Sequence, residues 1–303
     1  MYKTVLSLFL VILVLGKIQA QVGIGLSGTD ASAALEVNST VKGFLPPRMT
    51  EVQRDAIKEP GEGLQIFNTT TGQPNYFNGR YWIDLQGHIA EPVFFPEGAI
   101  HCDSDHITEV VDVYSPATGK TWMDRNLGAS QVAASSSDEA AYGDLYQWGR
   151  GADGHQCRDS QTTTTLSSTD QPGHGDFILS QDLPYDWRSS QNDNLWQRGA
   201  HSATNPCPSG YRLPTESEWQ AEINSWSEAH QNASGAIVSP LKLPVAGYRS
   251  NSSGLLGNVG ISGDYWSSSV RSTFSRNLYF NDSMFGTSTY NRGMGFSVRC
   301  IKD

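Results

Sequence analysis

The stretch YFNDSMFGTSTYNR, residues 279–292, decides whether the end of this chain is framework or contact surface. Apolar residues should recur every second position in a half-buried strand and every third or fourth in a helix, and here they do neither. Tyr and Phe offer large rigid contact area at small entropic cost, while Ser, Thr and Asn offer adaptable hydrogen bonds, as in an antibody paratope. The stretch therefore reads as a contact surface. The neighbouring residues extend it: Arg271, Phe274, Arg276, Tyr279, Asn281, Met284, Phe285, Tyr290, Asn291 and Met294 are the candidate ligand-binding positions, rich in the types enriched at interface cores. Within NLYF, Leu278 and Phe280 should face opposite to Tyr279.

The whole chain limits what such a surface can belong to. Its 303 residues, 38% hydrophobic and 17% charged, suffice for two modest domains with real cores. A net charge of -10 argues against nucleic acid and against anionic membrane surfaces as partners, since both require a Lys/Arg footprint. Residues 1–20, MYKTVLSLFLVILVLGKIQA, place a lysine before an apolar run and a small residue before Gln21, the pattern of a cleavable secretory signal peptide. The run is too short to span a bilayer, which takes about 20 apolar residues. The mature protein is expected to be secreted or held at the cell surface, with no membrane span.

Export makes four cysteines candidates for two disulfides. Of the three pairings, Cys102 with Cys157 and Cys207 with Cys300 is favoured. A metal site built from Cys102, His106, His155 and Cys157 is the rival, although its C-x3-H and H-x-C spacings are not usual zinc patterns.

Residues 21–87 form a β-rich module, expected to be a stalk or oligomerisation base. LQIFNTTTGQPNYFNGRYWIDL, residues 64–85, alternates apolar and polar positions, and Asn78-Gly79 signals a two-residue hairpin. Thr50 and Gln53 make a capping box for a short helix. Residues 88–101 read as a linker with two prolines, and residues 102–303 as one larger domain. There Thr215 and Glu218 open a helix whose Trp219, Ile223 and Trp226 recur at core-facing spacing. Strand character around that helix suggests an α+β class.

No GxSxG, HExxH, P-loop or GxGxxG is present, so hydrolase, zinc-protease and nucleotide-binding chemistry have no motif, and no cofactor is expected. Trp122, Asp124, Arg125 and Asn126 in WMDRNLGA could be mistaken for a catalytic cluster, but Asp124 and Arg125, like Arg212 and Glu216, read as a structural hydrogen-bond or ion-pair network, because no nucleophile or base partner lies beside them. Asp176, Asp182, Asp186, Asp193 and Asp264 could hold a structural cation, but solvated loop carboxylates are the favoured reading.

Six blocks, WMDRNLGA, AYGDLYQWGRGADGH, NPCPSGYRLPTESEW, SPLKLPVAGYR, GDYWSSS and GFSVRCIKD, together resemble the Fibrobacter succinogenes major paralogous (FISUMP) domain over residues 110–303. The resemblance implies a C-type-lectin-like fold, with Cys300 tied to Cys207 and a C-terminal face of loops and short strands displaying ligand-binding residues. Some proteins of this kind are variable proteins of diversity-generating retroelements. ALEVNSTVKGFLPPRMT and GLQIFNTTTGQPNYFNGRYW resemble phage tail-fibre and surface-adhesin β modules, which implies trimerisation. The chain is thus expected to be a non-catalytic, adhesin-like protein with a protein or glycan ligand. The formylglycine-generating oxidases share the implied fold, but their paired reactive cysteines near the C-terminal end reduce here to Cys300 alone. A structural surface component is the remaining alternative.

Overall fold

The protein is described by a computed structural model covering residues 21–85, 94–103, 106–116, 118–197, 199, 202–226 and 232–303. The expected signal peptide, residues 1–20, and the first part of the expected linker, 88–93, lie outside the described residues. The chain divides into two compact units, Met1–Pro47 and Arg48–Asp303.

In the first unit Val22–Ile24 and Leu35–Val37 pair in parallel. Their apolar side chains have no cover in the single chain: Val22, Ile24, Leu35 and Val37 are 44 to 55% exposed.

The second unit opens with a four-stranded sheet ordered Arg48–Met49, Gln65–Asn68, Gln73–Phe77, Trp82–Asp84. The capping box forms as the sequence predicts, with Thr50 starting helix α1, Glu51–Asp55. Asn78-Gly79 does sit in a hairpin, but the loop is four residues long, because Phe77 pairs with Trp82. Asn78 Oδ1 accepts from the amides of Arg80 and Tyr81, and Gly79 takes φ 89°, which favours glycine. Of the expected linker, residues 94 and 100 are hydrogen-bonded onward: Ser209 N donates to Phe94 O, and Ile100 N to Ala152 O.

Three sheets build the rest. One runs Tyr211–Arg212, Ile301–Lys302, Lys120–Met123, Asp112–Ser115, so the last strand of the chain lies between two earlier ones. A second runs Leu256–Gly257, Tyr248–Arg249, Gly295–Phe296, Tyr146–Gln147. The third is an antiparallel meander of Gly263–Arg271, Phe274–Phe280 and Phe285–Tyr290. Helix α2, Glu216–Asn224, starts at Thr215 with the predicted capping box, and Asn232 caps helix α3, Ala233–Val238.

Nineteen strands stand against three α-helices of five, nine and six residues among the described residues. The expected α+β class is therefore corrected to a β-rich fold. The error has a physical source. Many strands here are two residues long, too short to show alternation, and they fall among Gly and Ser that otherwise signal loops.

Two hydrophobic clusters fill the second unit. One gathers Trp148, Trp187, Trp196, Trp266, Phe296 and Val298, and the other packs Trp219, Ile223 and Trp226 of the α2 region against Tyr265, Leu278 and Phe280. Buried indoles need acceptors. Trp266 donates to Tyr146 O at 2.7 Å, Trp148 to Ser267 O at 2.9 Å and Trp187 to Trp148 O at 2.8 Å, which ties the strands to one another. Disulfides join Cys102 to Cys157 and Cys207 to Cys300, with Cα atoms 5.3 and 5.9 Å apart. The rival metal set falls with the first of these, since its two thiols are bonded to each other. His155 is fully buried, taking Gln147 N–H on Nε2 and pairing Nδ1 with Asp153, and burial lowers its pKa to about 4. Among the described residues no helix is long and apolar enough to cross a membrane.

Candidate ligand-binding face

The decisive stretch is a hairpin. Tyr279 and Phe280 end one strand of the meander, residues 281–284 turn, and Phe285–Tyr290 returns along it, with Ser275 opposite Tyr290 and Phe280 opposite Phe285. The turn is fixed by Asn281, whose Oδ1 accepts from Ser283 N and Met284 N at 2.8 Å each, while its Nδ2 donates to the Tyr279 hydroxyl at 2.7 Å. The returning strand is half-buried along nearly its whole length. No alternation of apolar residues was therefore required of it, and this is why it reads as surface.

Register divides the ten candidate residues between two sides. Phe274, Arg276, Leu278 and Phe280 share one side of their strand, the one packed on α2 and the second cluster. Arg276 is ion-paired to Glu216 there, and Phe285 lies 6.3 Å from the Trp226 ring centre. These positions belong to the framework. Tyr279 and Tyr290 lie on the opposite side of the meander, at Asp264 and Ser275 respectively in the register. Asn281 and Met284 occupy the turn, Met284 well exposed, and Arg271 is exposed at its strand end. Asn291 is half-buried just past the returning strand, and Met294 is buried in the first cluster.

The Tyr279 side holds a cavity of about 170 Å³ lined by Tyr248, Asn258, Asp264, Tyr279, Tyr290, Met294 and Phe296. Asn258 and Tyr290 are exposed at it, Tyr248 and Tyr279 half-buried, and Asp264, Met294 and Phe296 buried. The Tyr290 and Phe296 rings meet edge to face at 5.2 Å. Asp264 is no solvated loop carboxylate. It is 2% exposed within Gly263–Arg271, accepts from Ser262 Oγ at 3.0 Å and distantly from Asn277 Nδ2 at 3.5 Å, and is pushed by burial to a pKa of about 7. Asp186 is also buried, held by Gln191 and the Arg188 amide. Of the cavity's residues the sequence pointed to Tyr279, Tyr290 and Met294. Alternation along GDYW would have placed Asp264 on the side of Trp266, had the stretch been taken as a strand with a buried face.

Larger cavities of about 350 and 600 Å³ lie around residues 96–100, 151–153, 169–174 and 202–205. Their ionisable groups are largely partnered: Asp153 pairs with Arg150 and His155, Asp170 with Arg188, and His174 with Asp176.

WMDRNLGA forms the polar network its composition suggests. Arg125 bonds Asp124 at 2.7 Å and Glu109 at 3.1 Å. Asn126 donates to Tyr142 O and to the Tyr265 hydroxyl, and accepts from Arg299. Arg299 is fully buried among Asn126 and the carbonyls of Met123 and Leu241, and burial lowers its pKa to about 10. Arg212 bonds Glu218 at 2.7 Å, which fixes the capping-box partner of Thr215 at the start of α2.

Residues 23–99 match the family model described as a phage tail like trimerisation region. That match associates the N-terminal segment with structural or adhesin-like surface proteins and fits a homo-trimer. No curated protein and no solved structure matches the chain.

Proposed function

With a phage tail-like trimerisation region as its base, we propose that this chain is a secreted, adhesin-like surface protein without catalytic activity, binding a protein or glycan through the Tyr279–Tyr290 side of the C-terminal meander. One observation carries the reading: Tyr279 and Tyr290, with Tyr248 and the exposed Asn258, line a cavity that also holds a buried carboxylate, Asp264. Rigid aromatic rims around a small polar centre are what recognition sites use. The resemblance of residues 110–303 to the FISUMP domain belongs to this proposal. So does diversification of the retroelement kind, which would fall on Tyr279, Asn281, Met284, Tyr290 and Asn291 and spare Phe285 and Met294. A glycan and surface-protein array probed with the purified chain tests it. The Tyr279→Ala/Tyr290→Ala double variant should lose the captured ligand while still folding and melting cooperatively, and equal capture by both chains would move the site elsewhere.

The same proposal makes the protein a trimer through its N-terminal region. Val22, Ile24, Leu35 and Val37 expose apolar surface that a monomer leaves in water, and three copies packed together would bury it. Trimerisation would raise avidity through effective concentration. Sedimentation of the full chain should give a trimer, and Leu35→Asp with Val37→Asp a monomer. A monomeric parent chain at tens of micromolar, on the order of weak association constants, would contradict it.

A further inference from the structure

Asp264 is a buried carboxylate that makes no ion pair among the described residues. Its acceptors are occupied by neutral donors alone, the Ser262 hydroxyl at 3.0 Å and the Asn277 amide at 3.5 Å. Several other buried charges of the domain are differently served: Arg125 and Arg150 touch carboxylates, and Asp186 has Arg292 4.0 Å away. Glu222, with the Ser115 hydroxyl at 2.8 Å, and Asp144 also make no ion pair among the described residues, but neither lines the cavity that Asp264 lines. A charge taken out of water without a counter-charge is costly, so such a carboxyl holds its proton near neutral pH, and a cation brought to it favours the ionised form. Asp264 lines a cavity and its neighbours are aromatic. Tyr248, Tyr279, Tyr290 and Phe296 share that lining. Burial raises the Tyr290 phenol first, and the Asp264 carboxylate that shares its cavity raises it further.

A carboxylate in a cavity that aromatic rings also line attracts a cation through charge, and any ring that turns its face to the cation adds its quadrupole. Size narrows the choice. At about 170 Å³ the cavity is in the range of an engineered 150 Å³ cavity that takes up benzene, so it admits a chain of about five or six heavy atoms. Each carboxylate oxygen already accepts one bond, which suits the point charge of an ammonium better than the two-pronged fork of a guanidinium. Met294 on the floor offers an adaptable apolar contact for an alkyl arm.

We propose that the Asp264 cavity binds a primary alkylammonium, of the kind a lysine side chain on a protein partner presents. The assignment deepens the binding reading above by giving the Tyr279–Tyr290 side a chemistry. Calorimetric titration of the full chain at pH 8 with n-butylammonium chloride, with Nα-acetyl-lysine N-methylamide and with 1-butanol as the uncharged isostere tests it. Both amines should bind saturably at one site, with 1-butanol at least tenfold weaker. Asp264→Asn should lose tenfold or more in amine affinity. Tyr290→Ala, a change at the partly exposed rim that threatens the fold less, should weaken it severalfold. Butanol binding as well as the amine, full amine affinity in Asp264→Asn, or no amine binding by the parent chain would each overturn the proposal. So would calcium chloride occupying the site in preference to the amine. Failure here is distinguishable from failure of the broader reading. Without amine binding, loss of array capture by the tyrosine double variant would leave the binding face standing and remove only its chemistry; amine binding through Asp264 beside unchanged capture would do the reverse.

Discussion

Replacing Asp264 by Asn should change the pH dependence of stability in a way whose size and sign follow from burial. The folded carboxyl is held near pKa 7 from an ordinary 3.8, chiefly by desolvation. It keeps its proton in the folded state up to about pH 7 and releases it near 4 when unfolded, so between these values the folded state binds more protons. Stability from this group is full below pH 4 and is lost as pH rises through 7. A shift of about three units, at about 1.4 kcal/mol each, sets a loss of up to about 4 kcal/mol. The amide that replaces the carboxyl does not titrate. It does set an N–H donor against Ser262 or Asn277, at a roughly pH-independent cost of about 1 kcal/mol that hydroxyl rotation can relieve. Asp144, also raised to about 7 by burial with Arg158 opposing, contributes the same slope to both chains and cancels in the difference. Urea unfolding of the two proteins from pH 4 to pH 9, without added amine, should therefore show the parent losing stability relative to the variant by a few kcal/mol up to about pH 7.5, then no further. A flat difference would mean that Asp264 is hydrated or compensated, and the reasoning from its burial would fail.

Removing the Cys207–Cys300 disulfide, which closes a sequence separation of 93, should cost about 4 to 5 kcal/mol in the chain-entropy model, read as a lower urea midpoint of the Cys207→Ala/Cys300→Ala variant. A loss under 1 kcal/mol would mean that the link constrains little. Gly263→Ala should destabilise by about 1 to 3 kcal/mol, because an added Cβ would run into the Phe280 ring across the meander. Calorimetric melting checks it, and an unchanged melt would mean that the ring shifts freely.

Local chemistry was legible in the sequence wherever it is self-contained. Thr50 with Gln53 and Thr215 with Glu218 announce helix starts because the capping partners are three residues apart, and both boxes form. Asn78-Gly79 announces its turn for the same reason, though not the loop length, which the Phe77–Trp82 pairing sets. What depends on pairing was not legible. Residues 279–292 look like a loop because Phe285–Tyr290 is half-buried almost throughout, with core on one side and a cavity on the other. The ten contact candidates share a composition, but only the register of three strands separates Arg276 and Phe285, which face the α2 side, from Tyr279 and Tyr290. Asp264 reads as a solvated loop carboxylate in the sequence because a lone aspartate beside glycine resembles a turn residue, and only the strand around it reveals its burial.

The central claim is that recognition takes place on the Tyr279–Tyr290 side of the meander. Hydrogen exchange of the full chain with and without a ligand captured on the array tests it most directly, since protection reports where contact is made. Slowed exchange across residues 279–291 and at Tyr248 and Asn258, with the 169–174 and 202–205 loops unchanged, is the result this account predicts. Protection confined to those loops, with the meander unaffected, would contradict it.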